Sequence, residues 1–116
     1  MLSRTPNLPI RDAAPVFAAL GDDVRLTLVA RLSKGVPLSI TELSHKLPIT
    51  RQAVTKHLHV LEAAGLVKGE KLGREQRWEL EPESLTQAEQ WIATITKEWA
   101  NALNRLKSFV EDERTR

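Results

Sequence analysis

A predicted helix between Thr50 and Gly65 displays polar and basic side chains on one of its faces. The Thr50 hydroxyl can cap the first turn, and Gly65 can end the helix in the left-handed conformation. Because the apolar residues recur at helical spacing on one side, the polar residues share the other side. Their guanidinium, ammonium, amide and hydroxyl groups are the types that bind phosphates and read base edges in the major groove. This recognition face consists of Thr50, Arg51, Gln52, Thr55, Lys56 and His59.

A basic hairpin is predicted directly after Gly65, over residues 66–80, where the apolar spacing changes to alternation. Leu66 and Val67 begin one strand, Trp78 and Leu80 alternate with charged residues in another, and residues 72–75 supply the turn. Such a hairpin could lie along phosphates, or place a tip arginine in a minor groove, where the negative potential is strongest. We predict DNA contacts from Lys71, Arg74 and Arg77, with Lys68 beside them.

A shorter helix precedes the recognition helix and is separated from it by a tight turn. Ser39 can cap this helix, and Glu42 can reach back to the cap in a capping box. The apolar spacing extends to Leu47, and Pro48 ends the helix because the residue before a proline is pushed out of the α region. With the hairpin as a wing, this helix-turn-helix over residues 39–65 predicts a winged helix-turn-helix, mainly α with a small β-hairpin (α+β).

Two further helices are predicted before this motif. The first runs over Pro15–Leu20 and offers Val16 and Phe17 to a core or an interface. The second begins after Asp22, a good N-cap, and ends near Gly35. Both helices are expected to support the motif.

A long C-terminal helix over residues 83–110 is predicted to hold a homodimer together. It contains no glycine or proline, and its apolar residues alternate steps of three and four, the spacing of a coiled-coil seam. Packing of the whole stripe within one chain is the alternative, but the stripe is broader than one small core covers. We expect the first helix, through Val16 and Phe17, to add to the interface. The seam positions are Leu85, Ala88, Ile92, Ile95, Trp99, Ala102, Leu106 and Phe109.

Length and charge fit a small DNA-binding domain. The 116 residues have room for one domain, 1–116, with an N-terminal arm over residues 1–12. The net charge is +2, but residues 34–77 hold eight Lys or Arg against four Glu, whereas residues 79–116 hold five against eight acidic residues. Residues 1–9 contain no apolar run, so we expect no signal peptide, no membrane contact and a cytoplasmic location.

The segments FAALGDDVRLTLVARL, ITELSHKL and TRQAVTKHLHVLEAAGLV, followed by the basic hairpin, resemble the ArsR family of bacterial transcriptional repressors. The resemblance covers roughly residues 14–80. It implies a dimeric winged-helix protein that binds a double-stranded inverted-repeat operator through the second motif helix and is released, in many members, by a metal or a small molecule. His57 matches a recurrent histidine of the family, for which a packing or orienting role is expected.

The sequence departs from the metal sensors of that family. Their two cysteines on the first motif helix are replaced here by Ser44 and Lys46, and the chain has no cysteine. Its histidines, His45, His57 and His59, all lie inside the helix-turn-helix rather than on the C-terminal helix. We therefore expect no metal site and no cofactor, and no disulfide or thiol-based redox sensing.

Two classes of function remain after an enzyme is set aside, since Ser44 and His45 diverge on a helix and no carboxylate orients them. One is a sequence-specific repressor of its own or a neighbouring operon, constitutive or responsive to an unknown small-molecule effector. The other is a winged-helix module that binds protein instead of DNA. The polar recognition face favours DNA, because a protein-binding face would expose apolar anchors.

Overall fold

The computed structural model describes residues 10–115 of the chain. Within that range the predicted helices and the hairpin follow one another in the predicted order. The fold is mainly helical with a small antiparallel sheet and a long C-terminal helix, which confirms the predicted fold class. The elements are α1 (Ile10–Leu20), α2 (Asp23–Leu32), β1 (Leu38–Ser39), α3 (Ile40–Leu43), α4 (Arg51–Ala63), β2 (Val67–Leu72), β3 (Glu75–Leu80) and α5 (Pro82–Thr115).

The N-terminal helix is longer than predicted. α1 begins at Ile10 and includes Pro15, so residues 10–12 of the predicted arm are helical, and the rest of that arm lies outside the described residues. Proline removes one backbone hydrogen bond from a helix interior and normally marks a helix start. Here the burial of one face of α1 against the core, through Ala13, Val16 and Ala19, offsets that loss.

The first motif helix is shorter than predicted. The capping box of Ser39 and Glu42 is present, but α3 ends at Leu43 rather than near Leu47. Nη1 of Arg31 donates to the carbonyl oxygens of Leu43 and His45, both at 2.7 Å. A side chain from α2 therefore satisfies two backbone carbonyls at the place where the chain leaves the helix.

The wing is part of a three-stranded sheet. β2 and β3 form the predicted hairpin, with Gly73 and Arg74 at its turn and Gly73 at φ 66°. The short strand β1, which the sequence did not predict, pairs with β3 so that Leu38 lies opposite Trp78. The sheet therefore fixes the wing to the start of the motif.

The core lies where α2, α3 and α4 meet the sheet. Trp78 is its largest fully buried side chain. Val16 is 4% exposed and packs into this core, and its predicted contribution to an interface stays a prediction. Phe17 is half-buried and packs edge-to-face against Trp91 of α5, with ring centroids 6.3 Å apart. Only the first turns of α5 join the core, through Leu85 and Ala88.

Candidate nucleic-acid interface

The helix α4 separates an apolar face from a polar face, as the sequence predicted. The Thr50 hydroxyl accepts a hydrogen bond from the Ala53 backbone N–H at 3.0 Å and so caps the first turn. Val54, Leu58 and Leu61 are fully buried. The opposite side is turned to solvent, which leaves its donors free to meet a polyanion. The exposed side chains there are Thr50, Arg51, Gln52, Lys56 and His59.

Thr55 stands apart from the rest of the recognition face. It is half-buried, and its hydroxyl donates to the Arg51 carbonyl oxygen at 2.9 Å. A hydroxyl held this way satisfies the helix backbone, while its methyl group stays available for apolar contact with a thymine methyl.

His59 joins the recognition helix to the wing. Its ring lies edge-on to Trp78 at a centroid distance of 5.7 Å, and its Nδ1 is 3.3 Å from a carboxylate oxygen of Glu62. Trp78 in turn packs over Gly69, where a Cβ would come within 3.1 Å of the indole ring. The side chain of His59 is therefore exposed, and it lies where α4 contacts the sheet.

The cations of the wing fall into two groups. Lys71 and Arg74 are exposed near the hairpin tip, on the β2 side of the turn and in the turn itself. Arg77 donates through Nε to Glu75 at 2.8 Å. Lys68, at the base of the hairpin, lies 3.2 Å from Glu79 and 3.4 Å from Glu81, and its hydrogen bond to Glu79 holds the pKa of its ammonium above the ordinary value. The tip is therefore better placed than the base to attract phosphates.

Comparisons with known proteins agree with this geometry. Residues 20–70 match a family model described as a helix-turn-helix domain. Over 97 residues the chain is 34% identical to the HTH-type transcriptional regulator Rv2034 of Mycobacterium tuberculosis, covering 84% of this chain and 87% of that protein. A solved structure, the ArsR-like transcriptional regulator from Rhodococcus sp. RHA1, is 35% identical with a TM-score of 0.79, covering 88% of this chain and 93% of that chain. The chain belongs to the ArsR family of transcriptional regulators.

Membership in the ArsR family makes the chain a DNA-binding regulator of transcription. A further relative, the HTH-type transcriptional repressor SmtB of Mycobacterium tuberculosis, is 37% identical over 76 residues, or 65% of this chain and 56% of that protein. The shared segment therefore includes most of this chain but little more than half of SmtB.

The recurrent histidine of the ArsR pattern, His57, contacts residues at the start of α2, and the packing or orienting role expected for it stays a prediction. It is half-buried on α4, where its Nδ1 accepts from Nη1 of Arg25 at 3.2 Å and lies 3.8 Å from Asp22. Arg25 was not singled out from the sequence, because it lies 32 residues from His57 and carries no local motif. The Arg25 backbone N–H is the main cause of the lowered pKa of Asp22, and the charge of the Arg25 side chain adds to it.

Residues 10–115 contain no group of three or more His, Cys, Asp or Glu side chains that could hold a metal ion. Over the same range, no helix is both long enough and apolar enough to cross a bilayer.

Proposed function

We propose that this ArsR-family regulator is a homodimeric, sequence-specific repressor that binds an inverted-repeat operator and does not respond to metal ions. The observation that carries the proposal is the exposed polar side of α4, capped by Thr50 and flanked by the basic wing tip. Exposed amide and cationic donors on one helix suit base edges and phosphates together. Similarity to the repressor SmtB supports repression rather than activation of transcription.

The chemistry of each side chain decides whether we assign it to base reading or to phosphate binding. Gln52, exposed in the first turn of α4, has an amide that can bind adenine in two places, and we assign it to base reading together with the Thr55 methyl group. Arg51, Lys56 and Arg74 are assigned to phosphates. His59, which lies beside Trp78, is assigned a DNA contact at the edge of the same surface.

A second copy of the chain is part of the proposal because one recognition helix and one wing bury too little surface to select a single site in a genome. Two copies related by a two-fold axis read two half-sites of an inverted repeat. The exposed apolar side of α5 supports this arrangement, since Trp99 is 65% exposed in a single chain.

The test is binding to the duplex upstream of the chain's own gene, measured by fluorescence anisotropy over a series of salt concentrations. We expect specific binding that weakens steeply with salt, because each phosphate contact releases a counterion. A module that binds only protein would show no salt-dependent affinity for any duplex. A transcription assay from the same promoter then tests repression.

A further inference from the structure

A cavity of about 630 Å³ opens between α2, β1 and α3, and neither the recognition helix nor the wing contributes to its lining. Its volume lies in the range of about 300–1,000 Å³ that is usual for small-molecule sites. We propose that it binds a small amphiphilic carboxylate, an acyl chain with an anionic head, and that this ligand weakens operator binding. The binding site stands by itself, whereas its effect on the operator rests on the proposed function.

The lining of the cavity is mostly apolar and suits an acyl chain. Ala30 on α2, Val36 in the loop after α2 and Leu38 on β1 supply this apolar surface. Val36 is 57% exposed, so a bound chain would remove apolar surface of the protein from water together with its own. Each methylene group buried there should strengthen binding by about two- to fourfold.

The charges on the lining select an anion. Lys34 forms no ion pair with any residue in the described part of the chain. Nη1 of Arg31 has protein acceptors, but Nε and Nη2 have none among residues 10–115. The carboxylate of Glu42 already has a partner, since it accepts from the Ser39 backbone N–H at 2.9 Å. The charge left without a partner is therefore positive, and a ligand carboxylate can form charge-assisted hydrogen bonds with both cations.

Arg31 connects the cavity to the helix-turn-helix. Its Nη1 donates to the carbonyl oxygens of Leu43 and His45, which lie where the chain leaves α3 for the turn before α4. A carboxylate is a stronger acceptor than a neutral carbonyl, so a bound ligand would draw the guanidinium toward the cavity. Loss of those two hydrogen bonds would loosen the segment that positions α4. Ligand binding should therefore lower operator affinity, and operator binding should lower ligand affinity by the same factor.

Amide NMR spectra of the whole chain test the site with three probes of equal chain length, octanoate, 1-octanol and octylamine. With octanoate we expect saturable shifts at the amides of Ala30, Val36 and Leu38. Octanol and octylammonium should bind about tenfold more weakly, and butyrate more weakly still than octanoate because four methylene groups are missing. Absence of octanoate shifts at these amides would overturn the site. Octanol or octylammonium binding as tightly as octanoate would overturn its preference for an anion.

Matched variants separate the cavity from other apolar surfaces. Lys34→Gln should weaken octanoate binding about three- to tenfold and leave octanol binding unchanged. Lys46→Gln removes an exposed lysine outside the lining and should change neither. Ala30→Trp should fill the cavity and abolish octanoate binding, whereas Ala100→Trp, on the exposed surface of α5, should not. Octanoate binding that survives both Lys34→Gln and Ala30→Trp would place the ligand elsewhere and overturn the site; Lys34→Gln alone decides if Ala30→Trp does not fold.

Two measurements test the effect of the ligand beyond the cavity. Carbonyl carbon shifts of Leu43 and His45 report their hydrogen bonds from Arg31, so octanoate should move both in the free protein. At constant ionic strength, saturating octanoate should weaken operator binding, measured by anisotropy, by about fivefold or more. Octanoate binding without either effect would overturn the coupling and leave the site. A chain that binds no operator with or without octanoate would refute the proposed function, and the carbonyl shifts would still decide whether the ligand acts on the turn.

Discussion

Nη1 of Arg25 donates to Nδ1 of His57 at 3.2 Å, and this contact joins α2 to the recognition helix. Arginine has only donors, so Nδ1 must be the acceptor and the ring proton of a neutral His57 sits on Nε2. Nε of the same guanidinium donates to the carbonyl oxygen of Ala19 at 2.6 Å. One side chain thus ties the end of α1, the start of α2 and the middle of α4 together.

Arg25→Ala should therefore lower both stability and operator affinity. It leaves the Ala19 carbonyl and the His57 ring without this donor, at a cost of about 1–3 kcal/mol in the free energy of unfolding, measured by urea denaturation. Arg51→Ala is the matched control: Arg51 is exposed, so its loss should weaken operator binding and leave the free energy of unfolding unchanged. An Arg25→Ala protein as stable as the wild type would show that the contacts of Arg25 with Ala19 and His57 do not stabilise the fold.

Gln52 and Arg74 should separate specificity from general affinity. Gln52→Ala should reduce binding to the operator by about 1–3 kcal/mol and binding to random duplex very little, because an amide contact to a base is lost. Arg74→Ala should weaken both kinds of binding and flatten the salt dependence. Anisotropy titrations on both duplexes give the ratio of operator affinity to random-duplex affinity. If Gln52→Ala left that ratio unchanged, Gln52 would not read a base.

Metal ions should leave operator affinity unchanged. Zinc, cadmium and cobalt need a fixed set of thiolate, imidazole or carboxylate ligands, and the chain has no cysteine. Within residues 10–115 no group of three such side chains is close enough to form a set. The measurement is operator binding with micromolar zinc and with a chelator. Release by zinc that is abolished when one histidine is replaced would contradict the proposal.

The helix-turn-helix was predictable because its signals are local. The Ser39 and Glu42 capping box, the Thr50 cap and the end at Gly65 each depend on residues within one turn. Gly65 adopts φ 75°, as a helix end of this type requires. The exposure of the polar side of α4 could therefore be predicted from the sequence, whereas the DNA contacts assigned to its residues stay predictions.

The features that the sequence did not predict depend on residues far apart in the chain. β1 is a strand only because Leu38 pairs with Trp78, and two residues are too few to show a period. α3 ends at Leu43, where Arg31 of another helix donates to the Leu43 carbonyl oxygen, a contact between residues 12 positions apart in the chain. Arg25 acquires its role only once α2 and α4 are packed together. Each of these features depends on a contact with a residue that is distant in the sequence.

Acid should destabilise the chain partly through Glu42. Its pKa lies below the ordinary value, first because the Ser39 backbone N–H donates to the carboxylate and then because the Ser39 hydroxyl does so. A lowered folded-state pKa stabilises the fold above the unfolded-state pKa, and this contribution is lost as the pH falls through the folded-state value. The free energy of unfolding should fall as the pH drops below the ordinary pKa of a glutamate. Glu42→Gln should make that fall smaller.

Ser39→Ala tests whether the Ser39 hydroxyl contributes to the lowered pKa of Glu42. It removes the hydroxyl from the capping box but keeps the Ser39 backbone N–H, so it should reduce the same acid sensitivity only in part, and the Ser39→Ala/Glu42→Gln double variant should be no more acid-sensitive than Glu42→Gln alone. Urea unfolding of the four proteins at two pH values measures the effect. Equal acid sensitivity in the wild type and Glu42→Gln would show that the capping box is not its source.

Trp99→Glu should give a monomer that keeps its helices and loses operator binding. Trp99 is the largest residue near the centre of the exposed stripe of α5, and its burial against a partner would remove extensive apolar surface from water. A carboxylate forced into that surface would be desolvated, so association should fail while the fold of each chain survives. Ala100→Glu is the matched control, because Ala100 is exposed on α5 but outside the seam, and it should remain a dimer that binds the operator. Sedimentation, circular dichroism and anisotropy measure the three properties. A Trp99→Glu protein that stays dimeric and binds normally would show that α5 does not hold the dimer.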